Sequence, residues 1–510
     1  MSLIKSSATV GTYSLISRLT GFVRDITIAS GIGAGFLSDA FFVAFKIPNF
    51  LRRLFAEGAF TASFVPMFAG MLAADGKDKA HCFASEAMSF LLVVLLAVTG
   101  LFILAMPWLM YVLAPGFSTD PQKFELTILL TRITMPYIVF ISLVSLLAGV
   151  LNSLDKFAAV AATPILMNLC LITVPHLIED LTPTMAHGLA ISVFVAGIAQ
   201  WLWLIWFCRR QKLLPKLIRP RFSPELKRLL KLMVPGALGA GVVQINLFVD
   251  VIIASQFASG VSYLYYADRI NGLPIAVIGV AVGTALLPML SRKIREGKKE
   301  EAQHTHNRAI ELAMFLTLPA AVGLFVMAEP VIRVMYLRGA FTLQDMAETS
   351  KVLMAFSLGL PAFVLIKVLT PGYFSRQDTK TPFKVASICV VVNIALSLIL
   401  MWDYQYVGMA IATTGSAWVN VVLLLSGLRK RGWLEYSESL PGNLTKIIVG
   451  CVLMLAVVLA FEPYAAAYLL GGEALRITAL IVWVAVGAGI YFLVAYLADT
   501  VGMRGRIRRA

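Results

Sequence analysis

The sequence predicts an all-α polytopic membrane protein of about fourteen transmembrane helices, two parallel six-helix repeats around a central cavity plus two extra C-terminal helices. Three observations predict it. Hydrophobic residues make up 59% of the 510, the mean hydropathy is +0.84, and apolar runs of about 20 residues recur along the chain. Basic residues crowd alternate joints between those runs. The two halves of the chain also match one another at an offset of 220 to 225 residues.

The first six spans are read at 9–30, 38–68, 84–106, 126–151, 158–177 and 186–207. The next six lie at 229–257, 261–290, 309–327, 347–374, 382–401 and 407–428, and the last two at 444–461 and 476–497. Short joints leave no room for a separate soluble domain. The organisation that follows is an N-terminal lobe at 1–222, a C-terminal lobe at 223–435, and an added pair of spans with a basic tail at 436–510. Span 1 carries Arg18 and Arg24 inside its apolar run, whereas a cleaved signal peptide keeps its charge ahead of a short apolar core. Span 1 is therefore expected to stay in the mature protein.

The net charge of +15 follows topology rather than a nucleic-acid footprint. One set of joints holds Lys77, Lys79, Lys156, Arg209, Arg210, Lys212, Lys216, Arg219 and Arg221. The same side receives Arg292, Lys293, Arg295, Lys298, Lys299, Arg376, Lys380, Arg429, Lys430, Arg431 and the tail arginines Arg504, Arg506, Arg508 and Arg509. The opposite joints hold little beyond Lys123, Arg333 and Arg338. This asymmetry predicts cytoplasmic termini and an even span count, with membrane lipids rather than nucleic acid as the partner of the spare charge.

The duplication is legible in order. Asp25 to Ser30 recurs as Asp250 to Ser255, Pro66-Met67 as Pro288-Met289, Phe117 as Phe341, and Pro136 as Pro361. Asp155 matches Asp378, Asn168 matches Asn393, and Gly188 matches Gly408. Each copy holds six spans, so both enter the membrane in the same direction and a substrate site is expected where the copies meet.

Charge inside the spans marks where to look. Arg18, Arg24, Asp39, Lys46, Arg52, Arg53 and Glu57 interrupt the first two spans, and Asp250, Asp268 and Arg269 interrupt spans 7 and 8. Each costs roughly 2.5–3.5 kcal/mol at a helix centre, so none is expected to face lipid. Cations outnumber anions, which points to a basic, water-filled cavity and an anionic cargo. Internal ion pairs such as Arg24–Asp25, Arg53–Glu57 or Arg269–Asp268 are the bland reading; guanidiniums left over would suit phosphates and carboxylates, which they grip bidentately. Lys367 is open to a snorkelling role.

Asp39, Lys46 and Arg53 are spaced to share one stripe of an uninterrupted helix. Pro48 removes a donor and is expected to kink that helix, with Gly58 as a second soft point. Span 8 repeats the pattern with Gly272, Pro274, Gly279 and Gly283. Gating and simple helix packing both account for these residues. The joint 209–231 reads as an interfacial segment whose Ser223-Pro224-Glu225 forms a helix start. Five scattered cysteines and the close pair His304 and His306 read as structural rather than metal-binding. A nucleotide loop, a metalloprotease helix and a nucleophile elbow are missing from the sequence, so neither cofactor nor enzyme activity is expected.

Longer motifs carry a resemblance. The stretch Ser17-Arg18-Leu19-Thr20-Gly21-Phe22-Val23-Arg24-Asp25 resembles the opening helix of the MurJ (MviN) lipid II flippases. So do the stretch from Asp39 through Lys46, Pro48, Asn49, Arg52, Arg53 and Glu57 to Gly58, the motif Tyr265-Tyr266-Ala267-Asp268-Arg269, and Pro371 to Asp378. The resemblance covers essentially the whole chain. It implies a member of the multidrug/oligosaccharidyl-lipid/polysaccharide exporter superfamily, which moves lipid-linked peptidoglycan precursor (lipid II) from the inner to the outer leaflet of the bacterial cytoplasmic membrane. The implied partners are lipid II, membrane lipids and the cell-wall synthesis machinery. The positions matching the family's functional cavity residues are Arg18, Arg24, Asp39, Arg52, Ser262 and Arg269, with Asn49, Arg53, Glu57 and Lys46 in the same stretches. One departure stands out: Gly272 occupies a position where members can carry a glutamate. A flippase for another polyprenyl-linked polysaccharide is the nearest alternative. The drive, whether membrane potential or an ion gradient, is left open by the residues.

Overall fold

A computed structural model describes residues 3–53, 60–437 and 439–502, and these fold almost wholly into helices, with no β-strand among them. Glu57 and Gly58 lie outside the described residues, as do the tail arginines. Each predicted span falls on helical backbone wherever its residues are described. Among the described residues nine helical stretches are long and apolar enough to cross a membrane, so the chain is read as a multi-pass membrane protein. The predicted spans 1, 2, 7 and 8, which fall outside those nine, are the ones whose charges the sequence singled out.

The chain divides into two compact units. The first comprises Met1–Ser262 with Arg338–Phe341, and the second Tyr263–Leu337 with Thr342–Ala510. Unit 1 runs α1 (Leu3–Ile32), α2 (Phe36–Leu51), α3 (Thr61–Ala74), α4 (Lys77–Leu113), α5 (Pro121–Thr134), α6 (Tyr137–Asn152), the short α7 (Phe157–Ala161), α8 (Thr163–Leu177), α9 (Met185–Arg210) and α10 (Pro224–Ala254).

Pro48 sits inside α2 and cannot supply the N–H that the Ala44 carbonyl needs. Thr134 at the end of α5 donates its hydroxyl to that carbonyl instead (3.0 Å), which seats α5 along α2. The predicted uninterrupted helix is not found: α2 ends at Leu51, and Arg52 and Arg53 lie in a π-helical turn. The core of unit 1 is aromatic. Phe64 stacks between Phe60 and Phe68 and against Phe83, and Gly149 lets α6 come up to Phe64.

Ser223 caps α10 as the sequence predicts, its hydroxyl accepting from Leu226 N at 3.2 Å. The interfacial segment is shorter than expected, because α10 runs on from Pro224 through the apolar span without a break. Only 211–223 is non-helical. It lies along α4, where Ser85 and Ser89 accept from Lys216 N and Ile218 N (both 2.9 Å) and His81 Nε2 donates to Leu214 O (2.8 Å).

Two closures within unit 1 follow the duplication. Gly116 donates its N–H to Ser255 Oγ (3.1 Å), and Ala340, its match, donates to the carbonyl of Ser30 (2.8 Å), the match of Ser255. A β-carbon at Gly116 would collide with the Ser255 carbonyl, and one at Gly339 with the Ser30 carbonyl. Gly339 also has φ +57°, which a side chain resists.

Unit 2 runs α11 (Gly260–Pro274), whose first three residues belong to unit 1, a π-helical turn (Ile275–Gly279), α12 (Val280–Arg295), α13 (Lys299–Val326), α14 (Ala328–Tyr336), α15 (Leu343–Ser357), α16 (Leu360–Phe374), α17 (Lys380–Lys430), α18 (Ser439–Leu469) and α19 (Glu473–Leu497). The 51 residues of α17 would extend about 75 Å if straight, far beyond the ~30 Å of a hydrocarbon core. Non-helical Gln405 (φ 49°, ψ −132°) breaks it into two, which accounts for predicted spans 11 and 12. The added helices α18 and α19 pack on each other and on α13. Trp483 Nε1 donates to Val458 O (3.0 Å), and Tyr491 reaches Phe315 O (2.7 Å). Their other faces present Val449, Val452, Ile481 and Val482, the apolar exterior expected of helices set against lipid.

Candidate functional site

In unit 1 the charged residues of spans 1 and 2 divide into those already engaged and those that are not. Arg24 is buried and fully employed. Its Nε and Nη2 donate to Asp25 Oδ1 (3.0 and 2.7 Å), and its Nη1 donates to Asn168 Oδ1 (3.0 Å). Asn168, from α8, turns its amide onto Ser17 O (2.9 Å) and Thr20 Oγ1 (3.0 Å), so one side chain fixes both the guanidinium and the helix that carries it. The internal pair Arg24–Asp25 weighed at the sequence level is thus present. Arg18 lies two turns earlier on α1, half-buried and without a hydrogen-bond or ion-pair partner among the described residues.

Asp39 is completely buried near the start of α2. Its Oδ2 accepts from Lys123 Nζ at 2.7 Å, and its Oδ1 accepts from Ser262 N (2.9 Å) and Ser262 Oγ (2.6 Å). Ser262 Oγ also lies 2.8 Å from Ser38 Oγ. The structure therefore brings together the sequence-predicted Asp39 and Ser262, and adds Lys123. Lys123 was read only as a sparse cation in an outer joint. Its signal in the sequence was slight: a lone lysine just past the helix start Asp120-Pro121 in a joint otherwise poor in charge. Asn168, too, was read only as one half of a repeat match.

Lys46 and Arg52 are half-buried and Arg53 is exposed, each with interactions inside the fold. Asn49 spends its amide on Phe45 O (2.9 Å), a bond along its own helix beside the gap left by Pro48. In unit 2, Arg269 is half-buried, with Nη2 donating to Tyr265 Oη (2.9 Å) and its guanidinium carbon 4.7 Å from the Tyr265 ring centroid. That stacking orients the guanidinium plane without neutralising its charge. Pro274 ends α11 and opens directly onto the π-helical turn, so both predicted kink prolines sit within a few residues of π-helical backbone. At Gly272 a β-carbon would meet nothing within 4 Å, so the position has room for a longer side chain. Lys367 lies exposed on α16 with its stem against Gly279.

Chemically, the charged cluster of unit 1 is rich in cations, and its carboxylates Asp25 and Asp39 are each held by a cation, Arg24 and Lys123. No group of three or more His, Cys, Asp or Glu side chains that could hold a metal ion occurs among the described residues.

A family model described as "Lipid II flippase MurJ" matches residues 28–479. A Rhizobium tropici protein named as a probable lipid II flippase MurJ is 42% identical over 100% of this chain and 96% of its own length. A Burkholderia cenocepacia lipid II flippase MurJ is 35% identical, covering 89% of each chain. Among solved structures, a lipid II flippase MurJ in an inward closed conformation superposes with a TM-score of 0.79 at 26% identity, covering 96% of this chain and 98% of that one. An inward-facing multidrug transporter of the MATE family superposes at 0.69 with 16% identity, a likeness of fold alone.

Proposed function

The chain belongs to the lipid II flippase MurJ family, and we propose that it carries lipid II from the inner to the outer leaflet of the bacterial cytoplasmic membrane by alternating access. The observation that carries this reading is the relationship at 42% identity over the entire chain. The inventory of charge supports it independently. Lipid II presents a diphosphate and peptide carboxylates, a polyanion that cannot enter hydrocarbon unaided.

Arg18 and Arg269 are the head-group contacts we assign first. Arg18 has no hydrogen-bond or ion-pair partner among the described residues, and Arg269 stacks on the Tyr265 ring and donates to its hydroxyl, which orients the guanidinium plane. Bidentate donation to the diphosphate would satisfy either. Arg24, with three donors committed to Asp25 and Asn168, acts as the anchor of α1, and its field still favours an anion nearby. Arg52, Lys46, Arg53 and Asn49 complete the basic lining of α2 and its π-helical turn. Both termini are cytoplasmic in this reading, from the charge asymmetry of the joints. The energy for the cycle comes from the membrane potential or an ion gradient.

The test is exposure of lipid II at the outer face of cells depleted of their own flippase and supplied with this protein. Wild type restores exposure, and Arg18→Ala and Arg269→Ala, at equal membrane levels, lower it by about tenfold or more, the scale of a lost charge-assisted bond to an anion. A wild type that inserts yet exposes no lipid II sinks the substrate assignment and leaves a flippase for another polyprenyl-linked polysaccharide. Variants that match wild type would instead remove the basic lining from the mechanism.

A further inference from the structure

Asp39 is held by partners of two kinds. Ser262 supplies an N–H and a hydroxyl to Oδ1, while Lys123 supplies an ammonium to Oδ2, so the two grips use different oxygens and do not compete. They also differ in where they come from. Lys123 opens α5, which lies along α2 and is pinned to it by Thr134 and the Ala44 carbonyl. Ser262 is the last residue of unit 1 before the chain passes into unit 2.

Lys123 is itself built in. Asp120 caps α5 by accepting from the backbone N–H groups of Gln122 (3.1 Å) and Lys123 (3.2 Å), and the Lys123 ammonium lies 4.2 Å from the Phe117 ring centroid. Its side chain is only 11% exposed. The duplication does not demand it: Asp39 matches Ser262 itself, and Lys123 matches Ala347. An ion pair that appears in one copy only, on the carboxylate that also holds the last residue of unit 1, calls for a reason beyond the repeat.

We propose that Lys123 is a positioning residue of the transport cycle. It stays with Asp39 throughout and keeps that buried carboxylate charged and aimed, so that Ser262 can be gripped and released without stranding an uncompensated charge. The serine's bonds are replaceable by water during a movement; the loss of the cation paired with a buried carboxylate is not. The same serine lies two turns before Arg269 on α11. The inference rests on the flippase reading.

The test uses the full chain with Lys123→Met, Lys123→Arg and the double variant Asp39→Asn/Lys123→Met. In the depleted-cell assay, at equal membrane levels, Lys123→Met lowers lipid II exposure by about tenfold or more. Lys123→Arg keeps most of it, and the double variant recovers most of the loss because no charge remains to strand. A second readout does not involve substrate. In a chain whose native cysteines are replaced by serine, Ser38→Cys and Ser262→Cys stand where hydroxyls 2.8 Å apart now meet, and an added oxidant joins them. That cross-link forms readily with Lys123, several-fold more slowly with Lys123→Met, and readily again in the double variant. Lysine-dependent cross-linking in a wild type that exposes no lipid II sinks the flippase reading and leaves the positioning of Asp39 standing. Lys123→Met that cross-links like wild type overturns the proposal, as does a double variant that recovers neither readout. Should Lys123→Met fail to reach the membrane, the double variant decides: its insertion and activity support the role, and their absence overturns it.

Discussion

In the first copy of the repeat, the joint after the third span docks Gly116 on Ser255; in the second, the same joint docks Ala340 on Ser30. Donor and acceptor positions correspond, both joints bury a phenylalanine (Phe117 and Phe341), and each closure needs a glycine, though at positions one residue apart in the alignment. The charged clusters do not correspond in this way. Arg24 and Asp25 stand opposite Val249 and Asp250, Lys123 opposite Ala347, and Asp39 opposite Ser262. The two copies therefore share what backbone shape requires and one cation position, Lys46 opposite Arg269, and differ at Arg24 and Lys123. Backbone closures serve any chain that must fold twice the same way. A cation present in one copy answers to something that is not repeated, and an asymmetric anionic cargo is such a thing.

The sharpest way to break the comparison is at Arg24. Arg24→Ala removes three donors from buried Asp25 and Asn168, and should cost about 3 kcal/mol of stability, the scale of breaking a buried pair. Val249→Ala, at the matching position, removes two methyl groups from a half-buried site and should cost about 1 kcal/mol. Melting temperatures of the two variants in the same detergent give the ratio; equal losses would mean that the charge cluster is not what distinguishes the copies. The shared half of the comparison is tested by Gly116→Ala and Gly339→Ala. Each forces a β-carbon onto a carbonyl, at about 2 kcal/mol, and the two melting temperatures should fall together. A large drop for one and none for the other would show that the closures are not equivalent.

Much of this architecture was legible before any coordinate. Apolar runs located the spans because a bilayer accepts little else, and the cap at Ser223 was read from three consecutive residue types. What the residues could not show was pairing across distance. Lys123 and Asp39 are 84 residues apart, and Arg24 and Asn168 are 144 apart, so no local pattern joins them. The same holds for Thr134, which repairs the backbone bond that Pro48 breaks. The stripe of Asp39, Lys46 and Arg53 presumes one α-helical period throughout, whereas the backbone becomes π-helical at Arg52.

A turn near the end of the fourth span of each copy gives the smallest and most exacting contrast. Asp155 (φ 58°) and Gln377 (φ 60°) both occupy left-handed positions closing a helix, with Lys156 N bonded to Leu151 O (2.9 Å) and Asp378 N to Tyr373 O (3.1 Å). The turns thus align Asp155 with Gln377, one residue off the sequence match, and put Lys156 opposite Asp378. The lysine has no counterpart to what the aspartate does next. Asp378 accepts from the Thr381 hydroxyl (2.6 Å) and N–H (3.0 Å), and from Arg431, which together hold its carboxyl down at about 2. A carboxyl held below its unfolded value, about 4, stabilises the fold fully above that value and loses the contribution as pH falls toward 2. The melting temperature of wild type should therefore fall between pH 4 and 2 by more than that of Asp378→Asn. Thr381→Val, which deletes the largest of the hydrogen bonds, should shrink the difference further than Arg431→Gln does. Arg431 meets the carboxylate at a partly exposed surface, so its share alone should fade as salt is added. If the acid slope is unchanged in Asp378→Asn, the turn in the second copy works as a turn only, and the two copies are alike there after all.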